Sequence, residues 1–296
     1  MSNEKKRTGR IAIPYLITIF VGLCIVGGTV FGLYKYFGIG EEEAPPKPQP
    51  RNGIVTASYE DSHTILFILD EPETDCKSTF VLMRSIPRDK KMLFIGIPSN
   101  TVALIDDSQQ SLSGTYERGG SEAARQFVQS ALGVTVDRYM TFDSEAFKKV
   151  CDIFGGVSYG VDVDIVGLQK GVTEQYLNSS QIEKFVTYPL FADGEFGRSF
   201  RVASLISNMI NQTDTKRIAD SFDMNFETII NMVKTDITSV DYGNRKNAIK
   251  YMFSYGSSMG ISIVIDGTVS GNDFVPSSSF ISNLPEEYFA EDREDD

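Results

Sequence analysis

Thr79-Phe-Val-Leu-Met-Arg-Ser-Ile-Pro-Arg-Asp-Lys-Lys-Met-Leu-Phe-Ile-Gly-Ile97 holds two apolar runs separated by a proline and polar residues. Proline followed by Arg88, Asp89 and Lys90 is turn chemistry, so the stretch predicts strands over 79–86 and 91–97 joined as a hairpin. Just upstream, Thr64-Ile-Leu-Phe-Ile-Leu69 is a third compact run, closed by Asp70-Glu71-Pro72. Its length suits a buried strand better than a helix.

Downstream the period changes. Ala124, Phe127, Val128, Ala131 and Leu132 fall on one helical face, with Ser121 as the expected start and Gly133 just past the end. A second helix is expected from Ser144, capped by Asp143, with Phe147, Val150, Cys151 and Phe154 as its stripe and Gly155-Gly156 as its stop. Val157, Tyr159, Val161, Val163 and Ile165 alternate with polar or small residues, which predicts a half-buried strand. Helical patterns follow over 200–211, 226–233 and 248–253, and a last strand is expected over 261–265. Strands mixed with helices throughout predict an α/β domain, a layered α-β-α sandwich around a central mixed sheet.

The flanks have a different character. No charged side chain occurs from Ile11 to Tyr34. As a helix this run reaches about 36 Å at 1.5 Å per residue, enough to span a bilayer core of about 30 Å. Lys5, Lys6, Arg7 and Arg10 precede it and Glu41-Glu42-Glu43 follow, so the positive-inside bias leaves the N-terminus cytoplasmic and exports the rest. The expected organisation is a cytoplasmic tail over 1–10, a transmembrane anchor over 11–37 and an acidic, proline-rich spacer over 38–57. A globular domain over 58–275 and a disordered acidic tail over 276–296 complete it.

Composition excludes several functions. The formal net charge is −12, and no basic stripe with interleaved aromatics is present, so nucleic-acid binding has no support. His63, the single histidine, reads as a surface residue, which leaves no material for a histidine triad or a His-rich metal site. Cys76 and Cys151 could pair in an exported domain or remain separate thiols.

Three strings in this order resemble the LytR-CpsA-Psr family. Phe94-Ile-Gly-Ile-Pro-Ser-Asn-Thr101 sits where that family has a strand ending in Ser-Ile-Pro-Arg-Asp-Thr. Thr115-Tyr-Glu-Arg-Gly-Gly120 is similar to its alanine-tyrosine segment closed by Gly-Gly. Leu132-Gly-Val-Thr-Val-Asp-Arg-Tyr-Met140, with Phe142, Phe147 and Ile153-Phe-Gly-Gly-Val157, resembles its Gly-Ile-x-Ile-Asp-x-Tyr block and the Leu-Gly-Gly-Val that follows. The likeness runs from about Thr64 to Met252. It implies a membrane-anchored enzyme of the bacterial cell envelope that moves a glycopolymer from a polyprenyl-pyrophosphate carrier to peptidoglycan. In that family arginines hold the pyrophosphate, aspartates bind a divalent metal such as magnesium, and an apolar cavity takes the polyprenyl tail.

The chain departs from the family at charged positions. Ser99-Asn100 replace Arg-Asp, Ser78 stands where a metal-binding aspartate is expected, and Leu190 replaces an arginine. Phe196-Gly-Arg-Ser-Phe-Arg201 keeps the arginine pair of the family's Gly-Arg-x-x-Arg string, with Glu195 near its acid and Val202 in place of its glutamine. Arg198 and Arg201, three apart on one helix face, are the expected phosphate or anionic-glycan ligands. Asp70, Asp75 and Glu195 are the acids best placed to hold a relocated metal; Asp106 and Asp107 are more distant alternatives. The leading expectation is a catalytically impaired member that binds an isoprenoid or envelope glycan, or acts as a scaffold. The alternative is a working magnesium-dependent phosphotransferase.

Overall fold

A computed structural model of the chain describes residues 56–70 and 77–289. The expected anchor and nearly all of the spacer, together with Asp75 and Cys76, lie outside the described residues. Among those described, no helix is long and apolar enough to cross a membrane.

The hairpin that opens the sequence reading is present. β1 (His63–Leu69), β2 (Thr79–Ile86) and β3 (Lys91–Ile97) pair antiparallel in turn. A small hairpin of β4 (Val102–Ile105) and β5 (Ser108–Ser111) leads into α1 (Leu112–Leu132), and then β6 (Arg138–Phe142) returns parallel to β1. Next come α2 (Ser144–Phe154), the paired β7 (Val157–Tyr159) and β8 (Gln175–Leu177), and α3 (Ser179–Val186). They are followed by α4 (Gly194–Gln212), α5 (Thr215–Asp220) and α6 (Phe222–Ile230). β9 (Lys234–Thr235), α7 (Ser239–Tyr255) and β10 (Gly260–Ile263) precede the hairpin of β11 (Gly267–Ser270) and β12 (Asp273–Pro276) and the closing α8 (Ser278–Tyr288). The central sheet is mixed, in the order β10-β3-β2-β1-β6-β9.

Both faces of this sheet are covered, which is why its strands are nearly continuous in apolar residues. Ile65, Val81, Met83 and Phe94 point to one side, where α2, α3, α4, α5 and α7 pack. Leu66, Ile68, Leu82 and Ile95 point to the other, against α1 and α8. α4 lies unusually close to β3 because Gly96 has no side chain. A Cβ there would fall 1.9 Å from the Ser199 carbonyl oxygen. This contact sets the position of Arg198 on α4.

Several expectations need correction. α1 begins at Leu112 rather than Ser121. It is capped by Ser111 and kinked at Gly120, whose φ of 67° suits glycine. The Ser121 hydroxyl instead bonds the Thr141 hydroxyl at 2.7 Å. The strand expected over 157–165 stops at Tyr159; Val161 and Ile165 are buried from irregular chain, so their alternation marked burial rather than pairing. The tail expected to fray from 276 is helical to Tyr288, because Leu284 seats in the α1-side core. His63 is 7% exposed, not on the surface. Its burial on β1 drops its pKa to about 4 and keeps it neutral. Cys151 is a buried free thiol whose pKa is pushed up to about 12 by burial.

Candidate functional site

The C-terminal ends of β1 and β3 and the start of β2 meet the first turns of α4 at one edge of the sheet. There the fold gathers Asp70, Ser78, Ser99, Glu195 and Arg198 into one hydrogen-bonded network. Asp70 accepts from the Ser78 hydroxyl at 3.0 Å and from the Tyr116 hydroxyl of α1 at 2.9 Å. Burial first, and then the Asp70 carboxylate, raise the Tyr116 pKa, so that phenol stays a donor.

Arg198 is 2% exposed, and its guanidinium is fully engaged by the protein itself. Nε and Nη2 donate to the two Glu195 oxygens at 3.1 and 2.7 Å. Nη1 donates to Thr79 Oγ1 at 2.5 Å and to the Val186 carbonyl at 3.1 Å. Nη2 also reaches the Lys77 and Ser78 carbonyls at 3.2 and 3.4 Å. Burial alone would raise the Glu195 pKa, but the Arg198 hydrogen bonds and charge outweigh it, aided by Ser99, whose hydroxyl donates at 2.5 Å. Glu195 is therefore held ionised below its ordinary range, and the pair is electrically closed.

Arg201 is occupied in the same way by different acids. Its Nη1 forks onto Asp193 at 2.9 and 2.8 Å, and its Nε and Nη2 bind Asp162 at 3.1 and 2.7 Å, while the guanidinium lies over the Phe191 ring. Hydrogen bonding to Asp162 raises the Arg201 pKa against the opposing effect of burial, and the same bonds lower that of Asp162. The two expected phosphate ligands thus do not converge on an open anion site. Leu190 is 73% exposed and adds no charge.

Asp75 lies outside the described residues, and the two described acids, Asp70 and Glu195, do not offer the open carboxylate oxygens that a magnesium ion prefers. Both oxygens of Asp70 accept from hydroxyls, and both of Glu195 face a guanidinium. Among the described residues no group of three or more acids, histidines or cysteines is arranged to hold a metal.

Beside this network runs an apolar cavity of about 310 Å³ between the sheet and the helices α2, α4, α6 and α7. Phe67, Val81, Phe94, Phe147, Val202 and Met209 line its middle. It follows β1 from Leu69 to His63, about 20 Å at roughly 3.3 Å per residue. At the Leu69 end it ends on Thr79 and Val186, the residues that hold Arg198. At the other end it is lined by Asp137, Arg138, Asp241 and Arg245.

Three signals were missed in the sequence. Tyr116 is read only as part of a string, although it binds Asp70. Asp162 and Asp193 carry no local pattern that ties them to Arg201. The polar end of the cavity brings β6 and α7 together across more than a hundred residues, as in the Arg138–Asp241 pair, whereas Glu195–Arg198 and Asp241–Arg245 have helical spacings.

Fold and cavity define a mixed-sheet α/β domain with an elongated apolar cavity, and comparison with known proteins gives its family. The LytR_cpsA_psr family model matches residues 49–273, so the chain belongs to the LytR-CpsA-Psr family. The Bacillus subtilis protein named polyisoprenyl-teichoic acid–peptidoglycan teichoic acid transferase TagU is 24% identical over 80% of this chain and 82% of its own length. Among solved structures, that of B. subtilis TagV covers 76% of this chain and 94% of its own, with a TM-score of 0.59 at 22% identity. A Eubacterium siraeum structure titled a putative transcription regulator reaches a TM-score of 0.69 at 18% identity, covering 80% of this chain and 95% of its own. These structures establish the fold.

Proposed function

We propose that this chain is a membrane-anchored, extracytoplasmic envelope protein that holds a long apolar lipid chain, or scaffolds envelope glycopolymer assembly, without transferring the polymer. The carrying observation is that Arg198 spends its donors on Glu195 and backbone while Arg201 is clasped by Asp162 and Asp193. A pyrophosphate would have to displace carboxylates already held by bidentate, charge-assisted bonds. The cavity supports the lipid part of the reading, because it lies within the roughly 300–1,000 Å³ range of small-ligand sites and its walls are almost wholly apolar. The N-terminal charge pattern supports the anchored topology.

The competing reading, an active phosphotransferase for polyprenyl-pyrophosphate-linked glycopolymers, draws on one observation: Asp70, Ser78, Arg198 and Glu195 do lie in one network. Titration calorimetry of a polyprenyl pyrophosphate into the full-length chain separates the two. Binding that is unchanged by magnesium and by Arg201→Ala, and is lost when Met209→Trp fills the cavity, is expected. Binding that magnesium strengthens and Arg201→Ala weakens would favour the transferase.

A further inference from the structure

The two ends of the cavity differ in exposure and in spare hydrogen-bonding capacity. At the Leu69 end, Leu69, Thr79 and Val186 are all buried, and the guanidinium behind them is saturated. At the His63 end, the lining side chains from α6 and α7, Phe222, Phe226, Tyr242 and Arg245, are partly exposed, so the cavity meets solvent there. A chain entering from that side leaves its polar head at the same mouth.

The mouth is also where a cation has donors to give. Arg138 is paired to Asp241 by two hydrogen bonds of 2.9 Å, and Asp137 accepts from the Thr64 amide at 2.7 Å. Arg245 stands apart: its contact with Asp241 is 3.8 Å, and its buried Nε has no hydrogen-bond partner. Arg138 and Arg245 thus line the mouth with Asp137 and Asp241, beside a histidine that is neutral at pH 7, and the buried Nε of Arg245 is the donor left over. A guanidinium with an unused buried donor matches a planar or tetrahedral oxyanion.

We propose that the cavity mouth at His63 and Arg245 is the head site for a single-chain amphiphile bearing one anionic group, a carboxylate or a phosphomonoester. The chain lies along β1 with its tail toward Arg198. This rests on the cavity's being a lipid site, and it fixes the ligand's direction and head chemistry. The polar network at the Arg198 end then closes the tail end of the cavity instead of gripping a head.

The test is displacement of an anthroyloxy-labelled fatty acid from the full-length chain by hexadecanoic acid, farnesyl monophosphate and hexadecanol. At least one of the two anionic ligands is expected to bind about tenfold more tightly than the alcohol, the gain of one charge-assisted hydrogen bond. Whichever anion binds more tightly identifies the source of the head. Arg245→Gln is expected to reduce that affinity to the alcohol's, and Arg201→Gln to leave it unchanged. Equal affinity for all three ligands in the wild-type chain overturns the head site without any variant, as does loss of the preference in Arg201→Gln alone. If no ligand binds, or if Met209→Trp leaves binding intact, the cavity reading itself falls. If Met209→Trp abolishes binding while the head makes no difference, only the direction falls.

Discussion

Glu195→Gln tests the closed ion pair at the centre of the site. Arg198 is 3% and Glu195 20% exposed at the side chain, so solvent screens the pair weakly. Removing one partner of a buried pair leaves the other charge uncompensated, at a cost of about 3–5 kcal/mol. Arg198 would keep its bonds to Thr79, Val186, Lys77 and Ser78, which places the loss near the lower bound, about 3 kcal/mol. The sign with pH follows from the lowered Glu195 pKa. Its contribution is fully present above its ordinary value of about 4.5 and fades as pH falls through the lower folded value. Denaturant unfolding of the full-length chain and of Glu195→Gln at pH 7 and at stepwise lower pH measures the difference. A gap near 3 kcal/mol at pH 7 that narrows only below about pH 4.5 is expected. Equal stability at pH 7, or a gap indifferent to acid, would refute the reasoning.

Other positions give independent checks. Because His63 is the single histidine, its imidazole resonances can be followed alone, and they are expected to titrate near pH 4 rather than 6.5. Its folded pKa lies below the unfolded one, so stability should be whole above pH 6.5 and fall by about 3 kcal/mol in total toward pH 4. A midpoint near 6.5 would contradict its burial. Gly96→Ala drives a methyl into the Ser199 carbonyl and should destabilise by at least about 1–3 kcal/mol in thermal unfolding. Asp143→Ala removes the cap on the Ala146 amide and should cost about 1 kcal/mol by the same measurement, whereas an unchanged melting temperature would deny the cap its role.

Much of the fold was legible because burial on both faces writes itself into consecutive residues. Thr64–Leu69 and the 79–97 hairpin have almost no polar interruption, and Asp143, Gly133 and Gly155 mark helix ends through their own chemistry. β6 escaped notice since Arg138 and Tyr139 open it with polar atoms, and its pairing with β1 is a long-range event. The first half of α1 escaped because Gly114, Gly119 and Gly120 mimic a loop. α7 is hardly amphipathic, with Ala248, Met252 and Phe253 as its buried side chains, so only its last turns read as helix.

The site was legible by substitution and illegible by partnership. Ser78, Ser99 and Leu190 stand out against the family strings because a charge is missing at each. That Arg198 and Arg201 are themselves neutralised depends on geometry. Asp162 reaches Arg201 from 39 residues away through an irregular segment, and no period or spacing announces it. Two retained arginines therefore look like a surviving half-site in the sequence, whereas the fold uses them to tie α4 to its surroundings.

The central claim is that the family fold persists here with Arg198 and Arg201 already neutralised by the chain's own carboxylates. The most direct measurement is a transfer assay with a polyprenyl-pyrophosphate-linked glycopolymer, peptidoglycan acceptor and magnesium, comparing the full-length chain with B. subtilis TagU. No transfer above background, from a chain that still binds the apolar ligand, is expected. Transfer at a rate comparable to TagU would contradict the claim and restore the site as a working transferase.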